Sequence, residues 1–497
     1  MSDAVCRLAG SLTSEKFKRP VRLTLSERKS LLVLGDVIAL SLALPLAVEI
    51  CLRLDPQKYA SIAAAIADPF GWRPGRTPLL WAPLLVFFWC PLAAALGAYD
   101  SDQAFAPRKA ASTLAKAVLA TLIFFVFFPY ATPFLGAPIM VLTQVVVALV
   151  IVIGTRLLLT RVLTGPRFVP RTLIVGAGWA GQTICEVLDS LPECSGRVVG
   201  FVDDDSDKAG QQIAESRSRG YRVLGDRKDL KKLVCEHGVT VIVVAITETV
   251  PGDLLQTLLE AAESGVEVIP MPVLYEEITE KVPVQHVGQH WSIVMPPAHK
   301  SQSLFAAALK RAVDICLGSV GLFCLLPFIP FISVAIYLES PGPVFYRQER
   351  VGKGGRIFKV WKFRSMVLDA ENGRPVWASK DDPRVTRVGR LLRATHFDEF
   401  PQFLNILKGD MSAVGPRPER PEFVEELEKI IPFYRIRHTV KPGMAGWGLV
   451  RQGYGASRED ALEKIQYDLY YIRHHSLFLD LTILLRTFID TLTFRGR

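Results

Sequence analysis

Two adjacent acids, Asp398 and Glu399, lie in the stretch THFDEFPQFLNILKGDMSAVGPRP, with Arg393 just before it and Arg417 returning through a Gly-Pro-Arg-Pro turn. Helical spacing would place Arg393 about a turn and a half ahead of Asp398. A solvated helix face needs neither rigid proline turns nor arginines converging on a carboxylate pair. Two anions at one place repel unless a cation joins them, and Mg²⁺ is the hard cation that takes carboxylate together with phosphate oxygens. A carboxylate can also attack phosphorus, forming an acyl phosphate and splitting one transfer into two steps, while arginines balance the developing charge. The pattern points to chemistry on a phosphate, with Asp398 and Glu399 as candidate catalytic and metal-ligating residues.

Upstream, ESPGPVFYRQERVGKGGRIFKVWKFRSM supplies Arg347, Arg350, Lys353, Arg356, Lys359, Lys362 and Arg364 between Pro and Gly turns. Alone, such a run would serve as a solvated or nucleic-acid-binding face. Beside the acid pair it reads as a phosphate pocket, and no nucleic-acid partner is expected. From Ser301 onward there are 29 Lys plus Arg against 21 Asp plus Glu, nearly all of the chain's net charge of +9, which suits anionic lipid or a phosphorylated substrate. The eight cysteines show no CxxC and no Cys/His ligand spacing, so neither a disulfide framework nor a zinc site is indicated. Cys51, Cys90, Cys316 and Cys324 fall in apolar runs and read as small hydrophobes.

What must position these residues begins in a membrane. Four apolar stretches, about Ser30 to Leu52, Pro78 to Tyr99, Ala111 to Tyr130 and Phe134 to Leu159, are long enough to cross a bilayer as helices. Runs such as LIFFVFFPY have no polar face to show water, which disfavours four buried helices of a soluble core. Asp36 and Glu49 lie inside the first run and should face other helices or the interface, in a packing role. Basic residues precede the first span (Arg7, Lys16, Lys18, Arg19, Arg22, Arg28, Lys29) and follow the fourth (Arg156, Arg161, Arg167, Arg171), which predicts both flanks on the cytoplasmic side. Arg53, Lys58, Arg73 and Arg76 would then sit outside, against the trend. The first span reads as a signal anchor that is retained.

After Arg171, TLIVGAGWAGQTICEVLDS reads as a strand, a G-x-G-x-x-G loop at Gly176, Gly178 and Gly181, and a helix, an arrangement that brings backbone to a phosphate at a helix N-terminus. VVGFVDDD places Asp203 where a ribose-binding acid would stand. With VTVIVVAIT and VEVIPMP, residues 171–271 read as a Rossmann-like α/β domain. No catalytic Tyr/Lys pair accompanies the loop, so a degenerate fold used for regulation or assembly is favoured over dinucleotide binding, and a nucleotide-sugar oxidoreductase lacks its acid/base pair. Residues 272–302 read as a linker.

Residues 312–338 form an apolar run interrupted by Pro327 and Pro330, where a straight helix should kink or break. A fifth crossing would carry the basic part after Ser340 outside. A re-entrant helix-break-helix that enters and leaves on one face is therefore expected, with Lys310, Arg311, Arg347 and Arg350 at its ends facing headgroups.

SPGPVFYRQERVGKGGRIFKVWKFRSM, FDEFPQFLNILKGDMSAVGPRP and KPGMAGWGLV closely resemble the bacterial sugar transferase family, the monotopic phosphoglycosyl transferases that start glycans on undecaprenyl phosphate, over Ser303 to Arg497. Four spans and a Rossmann-like domain ahead of that core look like the larger polyprenyl glycosylphosphotransferases. The C-terminal YGASREDALEKIQYDLYYIRHHSLFLDLTILLRT is similar to a branch associated with exopolysaccharide clusters and PEP-CTERM systems. The resemblance implies a ping-pong transfer at the inner membrane's cytoplasmic face. Asp398 would attack the β-phosphate of a UDP-sugar and release UMP, and undecaprenyl phosphate would then take the sugar phosphate. It also implies that Glu399 positions Mg²⁺ or acceptor, that Lys362, Arg364, Arg393, Pro416 and Arg417 bind substrate, and that Pro327 breaks the membrane helix, which is re-entrant in the family. His396 and Phe397 replace a Ser-Leu common before the acid pair, and GLVRQGYG after Gly446-Trp447 departs from the usual AQV and Asn-Gly-Arg stretch. Contacts around Arg451 and Gln452 therefore do not carry over, and glucose or galactose is expected ahead of N-acetylated sugars. The alternative is a non-catalytic membrane scaffold or regulator that binds lipid-linked sugar. Large apolar and α/β surfaces are compatible with a homodimer.

The expected whole is a four-span helical membrane bundle after a cytoplasmic tail (residues 1–29 and 30–160), a Rossmann-like α/β domain, and a mainly α (α+β) catalytic domain over 303–497 with the re-entrant hairpin.

Overall fold

The computed structural model describes residues 25–57, 81–104, 106–127, 138–165, 168–191, 197–216, 219–247, 250–284, 304–368, 370, 382–431, 433–453 and 458–492. Two compact units divide the chain, Met1–Thr279 and Glu280–Arg497. Most of the predicted N-terminal tail lies outside the described residues.

The first unit opens with helices in all four predicted apolar stretches: α1 (Leu25–Leu54), α2 (Trp81–Ala95), then the short α3 (Ser101–Ala104), α4 (Pro107–Phe127) and α5 (Pro138–Leu163). By length and composition, α1 and α5 can cross a membrane; α2 is apolar but shorter, and α4 carries Arg108, Lys109 and Lys116. Leu32, Leu40, Leu44 and Val48 of α1 meet Trp89 of α2, Leu114 of α4 and Val152 of α5 in one core. Asp36 points into that core as expected. It accepts Arg156 Nε and Nη2 at 3.0 and 2.7 Å, Trp89 Nε1 at 3.1 Å and the Tyr99 hydroxyl at 2.8 Å. Arg156 also donates to the Ala98 carbonyl. Each charge is matched by donors or acceptors, the condition under which a buried pair is tolerated in an apolar surround. Glu49 takes the other expected place, outside the helical core, and pairs with Arg53 one turn on.

The second half of this unit is a six-stranded sheet. Its elements are β1 (Arg171–Val175), α6 (Trp179–Ser190), β2 (Arg197–Val202), β3 (Gln212–Ser216), β4 (Arg219–Gly225), α7 (Leu230–His237), β5 (Val241–Val244), α8 (Gly252–Glu263), β6 (Glu267–Pro270) and α9 (Met271–Thr279). The order is β3-β4-β2-β1-β5-β6, parallel except for edge strand β3. Ile174 and Leu173 of β1 fill the cores on opposite faces, which is why its run is continuously apolar. Residues 272–279, expected as linker, are helix: Met271 and Leu274 pack on the sheet's core with Ile174 and Val243. Cys235 is disulfide-bonded, a bridge that cysteine spacing did not signal.

The second unit begins at Glu280. Its Val282 and Val284 already join the C-terminal core, and the Val282 amide donates to the Gln466 carbonyl. Then come α10 (Leu304–Leu325), a 3₁₀ turn at Leu326–Phe328, and α11 (Ile329–Glu339), together long and apolar enough to cross a membrane. At Pro327 the α-ladder gives way to that 3₁₀ turn, because proline cannot donate to it, while Leu325, Phe328 and Ile329 keep helical backbone. An antiparallel hairpin follows, β7 (Phe345–Val351) and β8 (Ile357–Phe363), then α12 (Arg387–Ala394), a 3₁₀ turn at Phe397–Gln402 and α13 (Phe403–Lys408). The remaining elements are β9 (Ser412–Val414), α14 (Pro421–Ile430), a 3₁₀ turn at Tyr434–Thr439, β10 (Gly443–Ala445) parallel to β9, α15 (Trp447–Gln452), α16 (Arg458–His474) and α17 (Leu477–Leu492).

The membrane-type helix is bound to this unit along its length. Lys310 Nζ reaches Asp480 at 2.6 Å and the Tyr471 hydroxyl at 3.1 Å, and Arg311 donates to the carbonyls of Ile406 and Leu407, each at 2.7 Å. Asp314 accepts the Ser412 hydroxyl and the Ala413 amide. At the other end, Glu339 accepts the Arg387 and Val388 amides and so caps α12. Lys310 and Arg311, expected at headgroups, are thus spent on protein. For Arg311 the reason is local: the carbonyl end of α13 attracts a cation; for Lys310 it is the Asp480 carboxylate.

Candidate active site

Asp398 and Glu399 sit together on the 3₁₀ turn Phe397–Gln402, and both are buried. The chain enters that turn through His396, whose left-handed backbone (φ 57°) reverses direction after α12. Such a backbone is uncommon outside glycine, with His among the more tolerant types. Phe397 and Phe400 stack at 4.5 Å between centroids and join a core with Leu325 and Ile336 of the membrane helix and Phe363 of β8. The acid pair is therefore held between the hairpin strand and the broken helix.

Three cations converge. Lys362 Nζ on β8 is 2.8 Å from Glu399 Oε1, and Arg417 donates both terminal nitrogens to the same carboxylate. Arg393, in the last turn of α12, donates Nε to Ser365 Oγ at 3.2 Å, and its charge is felt at Asp398. Burial would push Glu399 up, but Arg417 and Lys362 hold it well below the usual carboxylate range. Asp398 moves the other way: burial first, then the Glu399 charge, raises it to about 6. No described side chain donates a hydrogen bond to Asp398. Burial pulls the Lys362 ammonium down, and Glu399 opposes that.

The other expected substrate residues are distributed differently. Pro416 and Arg417 share the turn after β9 and line one small recess with Gly352, Arg437, His438 and Pro442. Arg364 is buried and donates to the Ser340 carbonyl, while its Nε and Nη1 have no hydrogen-bond partner among the described residues. Of the basic run, Lys362 alone has an ion pair with the acid pair. Arg350 donates to the Pro418 carbonyl, and Arg347 lies 3.7 Å over the Trp361 ring. Arg451 pairs with Glu280 and Gln452 with Asp460, so both are engaged within the protein.

Sequence reasoning missed several positioning residues. Asn405 accepts the Trp361 amide and donates to the Lys359 carbonyl, which fixes β8 and with it Lys362. Arg437 and Asp468 form a buried pair behind Arg417. Asn405 stands in a quoted motif, but its partners lie more than 40 residues away in sequence. Nothing local marked it.

Asp398 and Glu399 are hard oxygen donors side by side, and among the described residues no cluster of three or more ligand-type side chains exists. One or two carboxylates completed by phosphate oxygens and water are the usual protein share of a Mg²⁺ site; Asp398 fits that share as it stands, and Glu399 fits it by sharing its oxygens with Lys362 and Arg417.

In the Rossmann-like domain the glycine loop is tight. Gly176 has φ 105°, and a Cβ on Gly181 would stand 2.0 Å from the Gly176 carbonyl oxygen. Gly178 caps α6. Asp203 accepts the Ala177 amide at 2.6 Å and the Asp205 amide at 3.0 Å, so the acid expected at a ribose closes the loop itself.

Residues 305–494 match the bacterial sugar transferase family, and residues 94–272 match a CoA-binding domain family. The chain is 40% identical over 244 residues to a UDP-N-acetylgalactosamine-undecaprenyl-phosphate N-acetylgalactosaminephosphotransferase of Aeromonas hydrophila, covering 49% of this chain and 56% of that protein. It is 34% identical over 351 residues to the UDP-glucose:undecaprenyl-phosphate glucose-1-phosphate transferase of Escherichia coli K12, covering 63% and 69%. It is 41% identical over 195 residues to the exopolysaccharide production protein PSS of Rhizobium leguminosarum, covering 38% and 97%. The matched segment holds the acid pair, the three cations and the turn that carries Arg417, and the chain belongs to the bacterial sugar transferase family.

Proposed function

We propose that this chain transfers a sugar 1-phosphate from a UDP-sugar to undecaprenyl phosphate, with Asp398 as nucleophile, as a first membrane step of exopolysaccharide synthesis. The observation that carries this is the asymmetry of the acid pair. Glu399 is neutralised by Lys362 and Arg417, while no described side chain forms an ion pair with Asp398. An Asp398 oxygen would attack the β-phosphorus; the bond from that phosphorus to the bridging oxygen breaks, and the electron pair leaves with UMP. A phosphate oxygen of the acceptor would then attack the same phosphorus and return the carboxylate. Arg417, Lys362 and Arg393 would balance charge on the phosphates, with Arg364 and Pro416 lining the approach. Mg²⁺, held by Asp398 and Glu399, would supply charge neutralisation at the diphosphate.

Supporting a re-entrant membrane helix, Lys310 and Glu339, near the two ends of the helical segment, both join elements of one unit. A straight crossing would separate them by the thickness of the bilayer. With the four-span bundle ahead of it, the catalytic unit would then lie on the cytoplasmic face of the inner membrane. The relatives named for glucose and for N-acetylgalactosamine keep both donor classes in the trial.

The test is UMP release by protein in lipid nanodiscs with undecaprenyl phosphate, across UDP-glucose, UDP-galactose and the two UDP-N-acetylhexosamines. Release with one donor, lost about a thousandfold or more in Asp398→Asn and abolished by chelating Mg²⁺, is expected. Undiminished turnover in folded Asp398→Asn would remove the nucleophile.

A further inference from the structure

We propose that Arg437, anchored by Asp468, is a positioning residue that sets the orientation of Arg417; this rests on the role given above to Arg417. The turn Pro416-Arg417-Pro418 has an unusual shortage of donors. Proline has no N–H, so between Gly415 and Glu419 only Arg417 offers an amide. The turn is instead held by its carbonyls. Pro416 O accepts the Gly443 amide at 2.9 Å, Arg417 O accepts Arg437 Nη2 at 2.8 Å, Pro418 O accepts Arg350 Nη1 at 2.9 Å and Glu419 O accepts the Val351 amide at 2.9 Å.

These four ties are not equivalent. The prolines fix their own φ, and the residue before a proline is confined to extended ψ but not to one value. The plane of the Arg417–Pro418 peptide therefore depends on what holds the Arg417 carbonyl, and that is Arg437. The same guanidinium nitrogen lies 2.9 Å from Asp468 Oδ2 on α16, and Nη1 donates to the Tyr434 hydroxyl. Arg437 and Asp468 are 8% and 4% exposed. A buried pair of this kind adds little net stability over apolar packing. Its evident product is a fixed donor aimed at the backbone of the residue that grips Glu399.

The test is a double-mutant cycle on the full chain in nanodiscs, with hydrogen exchange alongside. Arg437→Lys keeps the charge and loses the fork. It should lower UMP release by about ten- to a hundredfold. In an Arg417→Lys background the same substitution should cost less than about threefold, because the group it positions is already compromised. An equal loss in both backgrounds would mean general destabilisation and would overturn the proposal, as would full activity in Arg437→Lys. Should Arg437→Lys fail to fold, Asp468→Asn carries the cycle, with a smaller loss and the same non-additivity expected. Independently of turnover, Arg437→Lys should speed amide exchange in the peptide over residues 412–420 and leave α10 unchanged. Unchanged exchange there would refute the positioning role even if the enzyme were active. If the wild type released no UMP, the reaction assignment would fail while exchange still decided this one.

Discussion

Asp398 and Glu399 are sequence neighbours with opposite electrostatic settings, and the difference predicts a pH profile. Burial and the charge on Glu399 raise Asp398 to about 6, above an ordinary aspartate. Attack requires the ionised form, so kcat/KM should rise with pH through about 6, level off above it, and fall about tenfold per unit below. Measured in the free-enzyme limit with a fixed donor, a limb near pH 4 instead would show that Asp398 is not held up. Arg417→Lys should move the limb upward, because one of the cations that lowers Asp398 becomes less well placed. The acids and the two flanking arginines were legible in the sequence because all of them lie within 25 residues, from Arg393 to Arg417. Which cation grips which acid was not, since Lys362 reaches Glu399 from a strand 37 residues away. His396 likewise reads as an oddity in sequence, and its left-handed backbone at the entrance to the 3₁₀ turn gives it a geometric reason.

At the scale of elements, the broken helix is the piece on which membrane placement turns. Its polar face is written at Lys310, Arg311 and Asp314, one helical turn, and its close face at Gly318 and Gly321. A Cβ on Gly321 would stand 2.5 Å from the Phe403 ring, so any larger residue there would force that ring to shift or α10 and α13 apart. Cys316 and Cys324 are exposed on the same helix amid apolar residues. In a cysteine-free background, Leu304→Cys and Lys353→Cys should both react with an impermeant maleimide from the same side of sealed vesicles. Cysteines restored singly at positions 316 and 324 should react only with a lipid-soluble reagent. Labelling of residues 304 and 353 from opposite sides would make the helix a true crossing. The 3₁₀ turn at Pro327 was legible because proline lacks a donor. The use of Lys310 and Arg311 was not, because a cation beside an apolar run looks the same whether it meets headgroups, a carboxylate such as Asp480 or the carbonyl end of another helix.

Over the whole molecule, each unit has its own interior. Leu32, Trp89 and Val152 close the helical core, Ile174 and Leu173 the two faces of the sheet, and Met411, Trp447 and Leu469 the core of the second unit. The boundary at Glu280 was only partly legible: residues 272–302 lack period, yet the first of them finish a helix on the sheet and the next ones bond to α16. All the groups that converge on the acid pair come from the second unit, and the sugar transferase match over 305–494 falls inside it. The PSS relative is covered over 97% of its length by 38% of this chain. Residues 280–497 expressed alone and reconstituted in nanodiscs should therefore stay folded, anchored by α10 and α11, and release UMP within about tenfold of the full chain. Folded but inactive protein would mean that the first unit supplies something the acid pair needs, such as a donor site or a held orientation. Restored activity on adding residues 1–279 in trans would then separate those two cases, since a freely added unit can supply a site more readily than it can impose an orientation.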